Sequence, residues 1–185
     1  MFAGHVGAAL ALGRAQRRVN VGVFVLAALL LDAVLWVLVL LGWESVAIAP
    51  DYASTHQPQF DFPFSHWLLD ALVHRPELPL AGDASARLGL GLWNAMPLAL
   101  AVEAAIALAG LALFLSGAGL SRGRKLALAL VLLVVLAGTV AGMTVAPPPP
   151  SIAAMAWSSL GAIALVCLLA GWFGRGAMDP GPGPG

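Results

Sequence analysis

The chain has 185 residues, of which 61% are hydrophobic and only 10% are charged, whereas a soluble domain carries about 25% charged residues. This composition excludes a water-soluble globule, and the net charge of zero excludes the basic surface that nucleic-acid binding requires. Membrane lipids are therefore the expected partners. The single cysteine, Cys167, excludes an internal disulfide and lies in an apolar run, where a small packed side chain is its expected role.

The first segment, residues 1–13, is apolar and contains His5. It is shorter than the about 20 residues that a helix needs to cross a bilayer. Its basic residues follow it, which is the reverse of the order in a secretory signal, so no signal is predicted. We expect the segment to lie at the membrane interface or to enter the bilayer partway. His5 would be either an interfacial side chain or a ligand or base that reaches the membrane interior.

Four apolar segments are long enough to cross a bilayer. They predict an all-α integral membrane protein with about four transmembrane helices plus short interfacial or re-entrant helices. Residues 1–175 would form a single transmembrane domain, and residues 176–185 a disordered tail. In the third segment, Gly138 and Gly142 form a pair of small residues that favours close contact with another helix. The four predicted spans are residues 19–41, 92–115, 126–145 and 152–173.

Two of these spans carry an acidic residue near the middle, Asp32 in the first and Glu103 in the second. A carboxylate at the bilayer centre costs about 3 kcal/mol, so each should face the protein interior. Counted inward from the loop between the two spans, both lie roughly 15 Å deep. At one depth they could share a proton or bind a cation. The other role for Asp32 is an interhelical hydrogen bond that fixes packing.

The connection between the first two spans, residues 42–91, is the most polar part of the chain. Within it, residues 64–75 (FSHWLLDALVHR) predict a helix of roughly 18 Å, too short to span. His66, Asp70 and His74 recur every four residues and share one stripe of that helix. His66 and His74 would be about 12 Å apart along the axis, so a metal would take Asp70 with only one of them. The stripe is otherwise the polar face of an interfacial helix. Asp51, His56 and Asp61 precede it as further potential ligands.

The basic residues indicate the orientation in the membrane. If the four spans alternate in direction, seven basic residues fall on one side and two on the other. The positive-inside rule places the basic side, with both termini, in the cytoplasm. The seven are Arg14, Arg17, Arg18, Arg122, Arg124, Lys125 and Arg175.

Three short motifs resemble a family of small bacterial inner-membrane proteins described as membrane-bound metal-dependent hydrolases, some of them as permease-like. The motifs are Gly4-His5, Leu31-Asp32 followed by Trp36, and Phe64-Ser65-His66 running into Leu69-Asp70. The resemblance covers most of the chain. It implies a divalent metal, zinc or manganese, which activates a water for attack on a lipid-like or envelope substrate. The implied ligands are His5, Asp32, His66 and Asp70, with Asp70 or Asp32 as the base.

The chain departs from that family pattern at one point. In such proteins a Ser-His pair near the outer end of one membrane helix is followed by a second pair in a later helix, but here only Ser65-His66 is present. We hypothesise that a segment near residue 63 has been lost, with two spans and one histidine ligand. The alternative function is a non-enzymatic permease-like or accessory protein, whose buried acids serve packing or proton coupling. A transporter this small is expected to form a homo-oligomer.

Overall fold

The computed structural model describes residues 2–61, 78–79, 87–88 and 91–175. The helix predicted over residues 64–75, with His66, Asp70 and His74, lies outside the described residues, as does the tail predicted over residues 176–185. These predictions stay predictions.

The described chain is mostly helical. Two helices precede the long connection: α1 (Phe2–Ala15) and α2 (Val21–Leu40). The connection contains the short helix α3 (Tyr52–Thr55) and four short strands. A 3-10 turn, Leu92–Ala95, then leads into α4, and the remaining helices are α4 (Met96–Gly117), α5 (Arg122–Thr144) and α6 (Ile152–Phe173). The strands are β1 (Ser45–Ala47), β2 (Gln59–Asp61), β3 (Leu78–Pro79) and β4 (Arg87–Leu88).

Within the described residues, four helical segments are long and apolar enough to cross a membrane: α2, Leu92–Gly117, α5 and α6. Their large apolar side chains are widely exposed, as Val134 and Leu168 show, each at 71%. Apolar surface of this extent is stable against lipid but not against water. The prediction of an all-α membrane protein with four spans is confirmed.

The chain divides into two compact units, which we treat separately. The Asp32 unit contains residues 30–102 and 138–162, and the Glu103 unit contains residues 2–29, 103–137 and the chain from residue 163 onward. In the Asp32 unit, β1 pairs with β2 in an antiparallel ladder and β3 pairs with β4 in another. The single transmembrane domain predicted over residues 1–175 stays a prediction.

Helix α1 is too short to cross a bilayer, since its 14 residues span about 21 Å. Eight of its residues are buried within the protein, including His5, Gly7 and Leu10. An interfacial helix would instead expose one face to water and lay the other against lipid. The burial of α1 shows that it packs inside the protein, and whether it lies at the interface or enters the bilayer partway stays a prediction.

Glycines hold α1 against α4 in the Glu103 unit. A Cβ atom added to Gly7 would lie 2.5 Å from the Cα atom of Ala107, and one added to Gly110 would overlap the carbonyl oxygen of Gly7. The two backbones therefore touch, which only residues without a side chain permit. At Gly138 and Gly142 nothing in the described chain lies within 4 Å of an added Cβ atom, so the close helix contact predicted there is not seen among the described residues and stays a prediction.

Asn20 joins the start of α2 to the end of α6. Its Oδ1 accepts a hydrogen bond from the backbone N–H of Gly22 at 2.8 Å, as an N-cap residue does. Its Nδ2 donates to the carbonyl oxygen of Gly171 at 3.1 Å. One side chain thus satisfies an orphan donor of one helix and an orphan acceptor of another.

Candidate functional site

The carboxyl group of Glu103 lies at the amino end of α1. Its Oε1 accepts hydrogen bonds from the backbone N–H groups of Ala3 at 2.7 Å and of Gly4 at 3.2 Å. The first N–H groups of a helix have no partner within the helix, and the amino end carries a partial positive charge. Glu103, only 5% exposed, thus supplies from α4 the cap that the first turn of α1 does not provide, because that turn holds no acidic residue.

His5 follows directly after the capped residues and is 6% exposed. It forms an interaction within the protein. A buried imidazole can donate a hydrogen, accept one, or bind a metal through a neutral nitrogen. The structure therefore places His5 inside the protein, and whether it lies at the membrane interface or in the membrane interior stays a prediction.

Asp32 lies in the middle of α2, in the Asp32 unit, and is half-buried. The next turn of the helix buries Leu35 and Trp36, at 3% and 7% exposure. Asp32 also has an interaction partner. Glu103 belongs to the other unit, and its bonds to α1 account for its burial. Proton sharing between the two acids stays a prediction.

His56 ties the connection to the turn between α5 and α6. Its Nδ1 lies 3.1 Å from the carbonyl oxygen of Ala146, and because a carbonyl only accepts, Nδ1 carries the hydrogen. The adjacent Gln57 donates from Nε2 to the carbonyl oxygen of Trp93 at 3.0 Å. His56 also ends α3 in the left-handed region, with φ at 52°. These contacts give His56 a structural role within the Asp32 unit.

The described residues contain no group of three His, Cys, Asp or Glu side chains that could hold a metal ion. Of the four predicted ligands, His5 and Asp32 are described, and they belong to different units. His66 and Asp70 lie outside the described residues. The four-ligand metal site therefore stays a prediction.

The contact that sequence reasoning missed is the bond between Glu103 and the start of α1. Its two members are a hundred residues apart in the chain. The sequence does indicate that such a bond is needed. A short apolar helix without a polar first turn requires an acceptor from another part of the chain for its first N–H groups. The sequence does not indicate whether Asp32 or Glu103 supplies this acceptor.

Four long apolar helices decide the class of the molecule. The chain is a multi-pass membrane protein. No protein-family model, no curated protein and no solved structure matches it. Its activity must therefore be argued from its own buried polar residues.

Proposed function

We propose that this chain is a metal-dependent hydrolase of the bacterial inner membrane, acting on a lipid-like or envelope substrate. The observation that carries the proposal is the burial of His5 on α1, a helix that does not span. Helix α1 is held inside the protein by the Glu103 cap and by its glycine contacts. It can therefore hold the side chain of His5 in a fixed position as a metal ligand inside the membrane protein.

The donor chemistry fits a divalent ion. His5 and His66 would supply imidazole nitrogens, and Asp32 and Asp70 carboxylate oxygens, a set that zinc and manganese accept. A bound ion of this kind supplies a water with a lowered pKa. The carboxylate of Asp70 or Asp32 would accept the proton of that water. The apolar surroundings of α1 would keep other water away from His5.

Metal content tests the proposal. In protein purified in mild detergent, we expect about one zinc or manganese ion per chain. His5→Ala and Asp32→Asn should each lower the metal affinity by at least about tenfold, because each removes one ligand. The measurement is elemental analysis after dialysis against buffers of fixed free metal concentration.

The matched control is His56→Ala, which removes a histidine whose ring is bonded to Ala146. It should leave the metal content unchanged. A parent protein without stoichiometric metal, or an equal loss in His56→Ala, would contradict the hydrolase proposal. That result would favour the alternative, a permease-like or accessory protein without enzymatic activity, acting as a homo-oligomer.

The orientation follows from the positive-inside rule and predicts that both termini are cytoplasmic. Pro148 and Ser121 are exposed in the turns on either side of α5. In a Cys167→Ser background, Pro148→Cys should react with a membrane-impermeant maleimide in intact spheroplasts. Ser121→Cys should react only after the membrane is permeabilised. The opposite labelling pattern would show that the chain is inverted.

A further inference from the structure

Positive charge is concentrated in the Glu103 unit. Seven of the nine Lys and Arg residues of the chain belong to it, and its only acid among the described residues is Glu103, which is buried at the start of α1. The basic residues occur where α1 and α6 end and where α2 and α5 begin. The ends of helices that cross a bilayer lie at the level of the lipid headgroups.

Two of these arginines share one pocket. Arg14, in the last turn of α1, and Arg17, just beyond it, lie over Gly117 at the end of α4. A Cβ atom on Gly117 would be 2.6 Å from a terminal nitrogen of Arg17 and closer still to the guanidinium of Arg14. The two guanidinium groups therefore approach the same point. Val21 and Phe114, 2% and 3% exposed, line the pocket with apolar surface.

Nothing in the described chain neutralises this pair. Within the described residues, neither Arg14 nor Arg17 forms a side-chain hydrogen bond or an ion pair. Two positive charges held close together repel each other. The carboxyl ends of α1 and α4 each carry only a partial negative charge, so they do not neutralise the two arginines. Each guanidinium offers five N–H donors. A phosphate group supplies both the negative charge and several acceptor oxygens, and arginine binds it in bidentate fashion.

We propose that the Arg14–Arg17 pocket binds the phosphate of an anionic phospholipid. Val19, which lines the same pocket and is 36% exposed, offers apolar surface beside the guanidinium groups, and this suits an amphiphile better than a free ion. Leu12 on α1 and Leu113 on α4, 56% and 55% exposed, offer apolar surface to acyl chains on the same two helices. Basic pockets between membrane helices bind anionic headgroups in this manner. The site uses none of the proposed metal ligands, so it stands apart from the proposed hydrolase activity.

Lipid binding by the purified full-length protein tests the site. A fluorescent phosphatidylglycerol is bound in mixed micelles and displaced with unlabelled phosphatidylglycerol, phosphatidylcholine or inorganic phosphate. The salt concentration is about 0.5 M, so that diffuse surface charge is screened. We expect phosphatidylglycerol to displace the probe well before phosphatidylcholine does, and millimolar phosphate to have little effect. Arg14→Gln with Arg17→Gln should weaken phosphatidylglycerol binding by about thirtyfold.

The matched control is Arg18→Gln with Arg122→Gln, which removes the same charge from exposed positions that do not line the pocket. It should bind phosphatidylglycerol like the parent. Gly117→Ala keeps every charge but pushes the two guanidinium groups aside, and it should also weaken binding. Equal losses in the two arginine pairs, or no loss in the pocket pair, would overturn the site. Full displacement by inorganic phosphate would overturn the assignment to a lipid.

Discussion

Gly110→Ala is expected to destabilise the protein by more than about 3 kcal/mol, at or above the top of the usual range for overpacking. The added methyl group would overlap the carbonyl oxygen of Gly7. That oxygen belongs to the backbone of α1, so it cannot turn aside as a side chain would. Relief requires the whole of α1 to move away from α4. The measurement is the thermal unfolding midpoint in detergent, together with the yield of monodisperse protein.

Gly142→Ala on α5 is the matched control, because it adds the same methyl group to a helix at a position where no described residue lies within 4 Å of it. Alanine favours a helix over glycine by about 1 kcal/mol, so this variant should be as stable as the parent or slightly more stable. If Gly110→Ala unfolds at the same temperature as Gly142→Ala, then α1 does not pack on α4 through Gly7.

Glu103→Ala is expected to cost about 2–5 kcal/mol. It removes the acceptor of the Ala3 and Gly4 N–H groups, and each buried donor without a partner costs about 1–3 kcal/mol. Thermal unfolding measures the total loss. Hydrogen exchange of the peptide that covers residues 2–13 should speed up, since the amino end of α1 is released first.

Glu103→Gln separates the acceptor from the charge. Both N–H groups bond to one oxygen, Oε1, which glutamine retains. Only the attraction between the carboxylate and the helix dipole is lost, worth up to about 2 kcal/mol in a buried setting. Glu103→Gln should therefore lie between the parent and Glu103→Ala in stability. If glutamine were as damaging as alanine, the negative charge itself would be essential, and a role of Glu103 in proton coupling would gain support.

The two predictions concern the same piece of the molecule. Helix α1 is held at its amino end by Glu103 and along its length by the contact of Gly7 with Gly110. His5 lies between these two attachments. Its position therefore depends on contacts that have no direct part in chemistry. Under the proposed function, Glu103 and Gly110 are positioning residues for a metal ligand.

The four spans could be predicted because their signal is local. Length and hydropathy place α2, α4, α5 and α6 to within a few residues, since a helix in lipid must satisfy its own backbone and be about 20 residues long. The same argument predicts that α1 is too short to span. The sequence also predicts which side of the membrane is basic, because the alternation of spans needs only their number.

The sequence could predict which residues belong to the candidate site, but not which groups they contact. Sequence reasoning named His5 and Asp32, but it could not predict that His5 is buried within the protein, which follows from the packing of α1. It also paired Glu103 with Asp32 on the basis of depth. In the structure, the described partners of Glu103 are the N–H groups of Ala3 and Gly4.

Tertiary structure alone decided which helices touch. The spacing of Gly138 and Gly142 is typical of a helix contact, yet no described residue lies against either position, while Gly7 and Gly110 meet across more than a hundred residues. In lipid, apolar patterns do not drive one helix toward another, so contacts depend on close packing and on hydrogen bonds. These depend on shape in three dimensions. The length and hydropathy of a segment determine that it forms a membrane helix. Which other helix it packs against is determined by how closely the two backbones fit together.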